Sequence, residues 1–126
     1  MSEIAIIGAG AWGTALSIVL ARTGNHQVRL WVHEKEVCDI IAHRRENEKF
    51  LPGQQIPNGV TACNDLGKAL EGAAIVISVM PSQHCRRLFE QIKPLLLADT
   101  IIVSATKGLE ENSLLRMTEV IAQIME

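Results

Sequence analysis

Residues 4–24 read IAIIGAGAWGTALSIVLARTG. An apolar run is broken by Gly8, Gly10 and Gly13, and a helix-like pattern follows. Glycine loses more backbone freedom on folding than any other residue, so three of them between two regular elements cost stability. They fit G-x-G-x-x-G, a weak pattern when it stands alone. The setting raises its value: Glu3–Ile7 predicts a short buried strand, and Trp12–Thr23 predicts a helix stopped by Gly24. Each glycine then has a physical use. Gly8 allows the tight turn out of the strand, Gly10 lets a pyrophosphate approach bare backbone, and Gly13 lets the helix pack closely on the sheet. The helix N-terminus adds unpaired N–H groups and about half a positive charge. The plainer alternative is a tight turn that serves no ligand.

Working outward, strands and helices alternate. Gln27–Val32 predicts a second strand and Glu34–Arg45 a second helix. Residues 46–59, ENEKFLPGQQIPNG, read as a long loop because of their prolines and glycines. Val60–Cys63 is a short strand, and Asp65–Leu70 a short helix capped by Asn64 or Asp65. Ala74–Val79 and Thr100–Ser104 are buried strands, separated by a helix that starts at Pro81 and Ser82 and runs to about Ile92. Ser82 is its candidate cap. Asn112 or Ser113 is expected to cap a last helix with Leu114, Met117, Ile121 and Ile124 on one stripe. The first helix is expected to bury Ala15, Leu16, Val19 and Leu20.

Apolar strands alternating with helices predict an α/β fold, a doubly wound, Rossmann-like parallel sheet with five strands in the order 3-2-1-4-5. The 126 residues suit one domain, 1–126. A complete dinucleotide fold continues into a sixth strand, so the chain is expected to be the front part of something longer.

Twelve basic and 14 acidic residues leave a net charge of −2, which gives no electrostatic reason to expect nucleic acid as a partner. No stretch approaches the roughly 20 apolar residues of a membrane span, and no secretory leader is visible. Cys38, Cys63 and Cys85 are odd in number, widely spaced and without a C-x-x-C pair, which suits a reduced, cytoplasmic chain and no metal site. An exposed edge strand invites pairing, so a homodimer through the fifth strand or the last helix is a further expectation.

The second strand ends LWVHE, with His33 where a ribose-binding acid is usual and Glu34 one residue later. A shift of one residue turns a side chain elsewhere, so Glu34 is a poor ribose ligand. His33 does not repel a 2′-phosphate, and Arg44, Arg45 and Lys49 are candidates to lie near it. This favours NADP tolerance; the alternative for His33 is a solvent-facing turn residue. Lys107 follows a buried strand and so belongs at the carboxyl edge of the sheet, where ligands bind in such folds. Its ammonium is a point charge for a phosphate or a polarised carbonyl. Glu110 and Glu111 are expected to complement the dipole of the last helix.

GAGAWGTA (8–15), LW (30–31), FLPG (50–53), VMPSQ (79–83) and SATKGLE (104–110), in this order, carry a resemblance over the whole chain. The chain resembles the N-terminal domain of the bacterial-type NAD(P)-dependent glycerol-3-phosphate dehydrogenases. The resemblance implies NADPH or NADH as cofactor, and interconversion of dihydroxyacetone phosphate and sn-glycerol 3-phosphate for phospholipid synthesis. It implies cofactor contacts at Ala11 and Trp12, an adenosine-end contact at His33, a nicotinamide-side segment from Pro81 to His84, and a cofactor and substrate contact at Lys107. Trp12 covering the base of the first helix is an equal alternative. It also implies that the general acid–base lysine and the substrate-phosphate grip belong to a helical C-terminal domain, so that this chain alone binds cofactor with little turnover. Two rivals stand: the same domain from a related hydroxyacid dehydrogenase, and a non-catalytic dinucleotide-binding module.

Overall fold

Side chains alternate across a strand, so Ile4 and Ile6 of the first strand face one way and Ala5 and Ile7 the other. All four are buried, which requires cover on both faces. A computed structural model describes residues 2–125; Met1 and Glu126, the two ends of the expected domain, lie outside the described residues. The first strand, β1 (Ser2–Ile7), is followed by α1 (Ala11–Arg22), β2 (His26–Trp31) and α2 (Lys35–Arg44). Then come β3 (Glu46–Asn47), β4 (Leu51–Gln55), β5 (Val60–Cys63) and α3 (Leu66–Leu70). The chain continues through β6 (Ile75–Ser78), α4 (Ser82–Ile92), β7 (Ile101–Ser104) and α5 (Met117–Met125).

Five strands form one sheet in the order β5-β2-β1-β6-β7, all pairs parallel. Counted among themselves these are strands 3-2-1-4-5, the expected doubly wound order. Ile4, Ile6, Val28, Leu30 and Val60 pack with Ile18 of α1 and with Val37 and Ile41 of α2 on one face. Ala5, Ile7 and Val76 pack with Leu88, Phe89 and Ile92 of α4 and with Val120 and Ile121 of α5 on the other. Each fully buried side chain of this size contributes about 1.5–3 kcal/mol.

Several local expectations are corrected. The tract 46–59 is not all loop: β3 and β4 pair antiparallel. Asn47 accepts from the Phe50 N–H at 3.1 Å, and Glu46 from the Gly53 N–H at 3.1 Å, so side chains close this short hairpin. Strands this short and rich in Pro and Gly carry no periodicity to read. The last helix starts at Met117, because Asn112 (φ 70) and Leu114 (φ 58) are left-handed and cannot open a right-handed helix. Glu119 caps it instead, accepting from the Arg116 N–H at 2.9 Å. Leu114 is 70% exposed rather than on the buried stripe. Ser82 is not a cap: Pro81 holds that position, with no side-chain bond. Asp65 does cap α3, through the Lys68 N–H. β7, expected to be buried, is half-buried on one side, at Ile102 and Ser104, and open on the other, where Ile101 and Val103 are exposed.

The buried face of α1 is Gly13, Thr14, Ser17, Ile18 and Ala21, not the expected Ala15, Leu16, Val19 and Leu20; Val19 is 59% exposed. Apart from Ile18 this face is small, because the helix sits almost on the strand end. A Cβ on Gly13 would lie 1.9 Å from the Gly8 carbonyl oxygen, a backbone atom that cannot step aside. Gly13→Ala is therefore expected to cost at least about 3 kcal/mol, the upper range of core overpacking. Thermal unfolding followed by circular dichroism checks this; a midpoint within a degree of wild type contradicts the close approach.

Candidate functional site

The chain leaves β1 for α1 on one face and leaves neighbouring β6 for α4 on the other. Divergence of two adjacent crossovers opens a crevice beyond the carboxyl ends of the strands. The crevice has a volume of about 550 Å³. Gly8, Ala9, Gly10 and Trp12 wall it from the glycine turn, and Trp31 to Glu34 from the end of β2. Phe50 of the hairpin closes one side; Val79, Met80 and Pro81 of the β6 end, with His84, Arg87 and Leu88 of α4, form the opposite wall. Ala105, Thr106 and Lys107 complete it.

Gly8 adopts φ +125°, and a Cβ there would lie 3.0 Å from the Met80 nitrogen and the Val79 carbonyl, so the turn is pressed against the end of β6. α1 begins with no acidic residue in its first turn and no side-chain cap. Its first N–H groups and positive dipole end are therefore left for an anion.

Of the residues singled out in the sequence, Gly8, Gly10, Trp12, His33, Pro81, His84 and Lys107 line this one crevice. Ala11 and Gly13 do not: Ala11 is exposed at the helix start, and Gly13 is buried beneath the turn. Trp12 stays 52% exposed in the wall. Of the three cations expected near His33, Lys49 pairs with the adjoining Glu34, while Arg44 and Arg45 are engaged elsewhere. Arg44 pairs with Glu48 at 2.9 Å, and Lys49 with Glu34 at 2.5 Å. The Arg45 guanidinium donates to the Pro57 and Val60 carbonyls, which fastens the chain leading into β5.

Lys107 stands exposed on a loop fixed at both ends. Ahead of it, the Ala105 N–H donates to the Ser78 carbonyl at 2.8 Å and the Thr106 hydroxyl to the same oxygen at 3.1 Å. Behind it, Gly108 adopts φ +100°. The Glu110 carboxylate then accepts two parallel bonds from Arg86 of α4, at 2.7 and 2.9 Å. Glu110 thus clamps the lysine loop to α4 and does not serve the dipole of α5, which begins seven residues later. Arg86 also donates to Gln123 of α5 at 2.8 Å. Within the crevice wall, Arg87 donates to His84 Nδ1 at 3.2 Å, which fixes the orientation of the ring.

Sequence reasoning missed Asn47, Phe50, Arg87 and Thr106. Thr106 was within reach, since it lies one step before Lys107 at the same strand edge. Asn47 was not: an asparagine among E-N-E-K carries no local sign of burial. Cys85, on α4, is fully buried, and burial raises its thiol to about 11.

An open parallel sheet whose crossovers diverge beside a glycine turn at a helix N-terminus defines the Rossmann class of α/β domains. The family described as NAD-dependent glycerol-3-phosphate dehydrogenase N-terminus matches residues 3–126. The glycerol-3-phosphate dehydrogenase [NAD(P)+] of Koribacter versatilis is 58% identical over 125 residues, 99% of this chain and 37% of that protein. The glycerol-3-phosphate dehydrogenase structure from Coxiella burnetii matches with a TM-score of 0.92 at 40% identity, covering 98% of this chain and 38% of that one. The corresponding Saccharomyces cerevisiae structure gives 0.89 at 27% identity, covering 98% and 39%. The chain belongs to the NAD-dependent glycerol-3-phosphate dehydrogenase N-terminal family, and it spans a little over a third of the length of these relatives.

Hydrogen bonds from Arg86 and Ser113 lower the Glu110 carboxyl from its usual 4.5 to about 2. A carboxyl lowered by folding stabilises the folded state above its ordinary value, and that contribution is lost as pH falls through the folded one. Glu110→Gln is expected to melt below wild type at neutral pH. The gap should close as pH falls from 4.5 toward 2. Melting curves across that range check it; a gap that stays constant with pH contradicts the ion-pair clamp.

Proposed function

We propose that the crevice holds the dinucleotide of a glycerol-3-phosphate dehydrogenase, and that this chain is the cofactor-binding part of an enzyme interconverting dihydroxyacetone phosphate and sn-glycerol 3-phosphate. The observation that carries the reading is Gly10. Among the described glycines it alone has neither a left-handed backbone nor a neighbour for its missing Cβ: φ is −70°, and nothing lies within 4 Å. Serine or aspartate at this N-cap position would stabilise α1 better than glycine. Nothing inside the chain forbids a side chain there, so the demand for bare backbone comes from outside it. A pyrophosphate set on the first N–H groups of α1 makes that demand.

The other roles follow the resemblance and the wall positions. Ala11 and Trp12 belong to the turn that meets the pyrophosphate, and His33 to the adenosine end. Pro81 and His84 belong to the side toward the nicotinamide. Lys107, exposed and held by the Arg86–Glu110 clamp, brings a cation to where cofactor and substrate meet. The bound cofactor supplies the hydride; this chain orients it and places charge. A proton donor and a grip for the substrate phosphate are assigned to the helical C-terminal part of the enzyme, so this chain alone binds cofactor without turnover. Glu34, neutralised by Lys49 at 2.5 Å, repels a 2′-phosphate less than a lone carboxylate would, which fits use of both NADH and NADPH. Three unpaired thiols fit a reducing, cytoplasmic setting.

Calorimetric titration with NADPH and NADH tests the reading. Wild type is expected to bind, and Gly10→Ala to weaken binding at least about tenfold while shifting stability by less than about 1 kcal/mol. Absence of binding for both cofactors, or full affinity in Gly10→Ala, overturns it.

A further inference from the structure

We infer that Asn47, which lies outside the crevice wall, is the positioning residue of the anion-binding turn, holding the Ala9–Gly10 peptide so that its N–H faces the ligand. This rests on the cofactor reading of the crevice. Asn47 is fully buried at the end of β3, under the glycine turn and 38 residues from it in sequence. Its amide has two protons, and both are used. One is donated to the Ala9 carbonyl at 2.9 Å, the other to the Thr14 hydroxyl at 2.8 Å. Its oxygen accepts from the Phe50 N–H at 3.1 Å. The side chain therefore grips the turn on both sides of Gly10 and ties it to the hairpin that supplies Phe50 to the crevice.

The consequence follows from peptide geometry. No cis peptide bond occurs among the described residues. In a trans peptide the carbonyl and the next N–H point in opposite directions. With the Ala9 carbonyl drawn down to Asn47, the Gly10 N–H points away from the buried side. Among the described residues it donates to no protein acceptor. A turn holding glycine is free to flip this peptide, because glycine accepts either sign of φ. The flipped form would aim a carbonyl oxygen at a phosphate, and like partial charges would repel. Asn47 removes that alternative before any ligand arrives. The Thr14 hydroxyl, 3.4 Å from the same carbonyl, supports the same orientation.

A residue that only holds the fold together affects every ligand alike; one that aims a phosphate-binding N–H affects only ligands with phosphate there. The test compares NADPH, by calorimetry, with adenosine, by NMR titration, on wild type, Asn47→Asp and Asn47→Ser. Aspartate keeps the acceptor for Phe50 but loses both donors to the turn. NADPH is expected to weaken about tenfold in both variants, the effect of one lost hydrogen bond, while adenosine stays within about twofold. Parallel loss of both ligands, or unchanged NADPH binding in folded variants, overturns the inference. Should neither variant melt cooperatively, Thr14→Val, which removes one of the two anchors, is expected to give the same split at about threefold, and equal losses there overturn it. Wild type that fails to bind NADPH takes down the cofactor reading and this inference together; indifferent variants of a binding wild type remove this inference alone.

Discussion

The fold and the site both depend on one close approach, that of Gly13 on the first helix to the carbonyl of Gly8 at the end of the first strand. No side chain fits between them. Because the helix axis starts so near the strand, its free N–H groups lie at the carboxyl edge of the sheet and not above its face. The same closeness dictates the small residues Thr14, Ser17 and Ala21 along the helix underside, since larger ones would lift the helix off its seat. An anion site at a helix end and a tightly seated first crossover are thus one structural fact.

Around that seat the molecule is built from tethers that cross between elements. Asn47 joins the hairpin to the turn, Arg45 joins the end of α2 to the chain entering β5, and Arg86 joins α4 to the lysine loop and to α5. Each is a side chain that donates to more than one partner in another element. A buried polar group that is fully paired, as Asn47 is, specifies one arrangement, whereas apolar contacts tolerate many. The sheet and its two apolar layers supply the bulk of the stability. Asn47 and Arg86 fix parts of the crevice wall, the glycine turn and the lysine loop, while Arg45 holds the opposite edge of the sheet where the chain enters β5.

The architecture was open to sequence reading because its signals are local and periodic. Apolar strand runs, helical stripes and turn glycines sit where the elements are, and right-handed crossover leaves few ways to arrange them. Residues at strand ends were found for the same reason: a position just past a buried strand is at the ligand-binding edge whatever its neighbours. The failures lie where tertiary contact overrides local pattern. The most apolar stripe of α1 is not its buried one, because proximity to the strand selects size over hydrophobicity. Glu110 looked like a dipole partner from its place in the chain, yet an arginine 24 residues earlier claims it. Asn47 shows no sign of its burial, since its partners are the distant turn and a hairpin too short to announce itself.

Cys85 lies on the same helix as the arginine clamp, sealed beneath it, with a thiol that stays protonated at neutral pH. The native molecule shields this sulfur from electrophiles twice over, by access and by ionisation. Alkylation at that atom consequently requires the packing of the fourth helix on the sheet to open first, whether locally or with the whole fold.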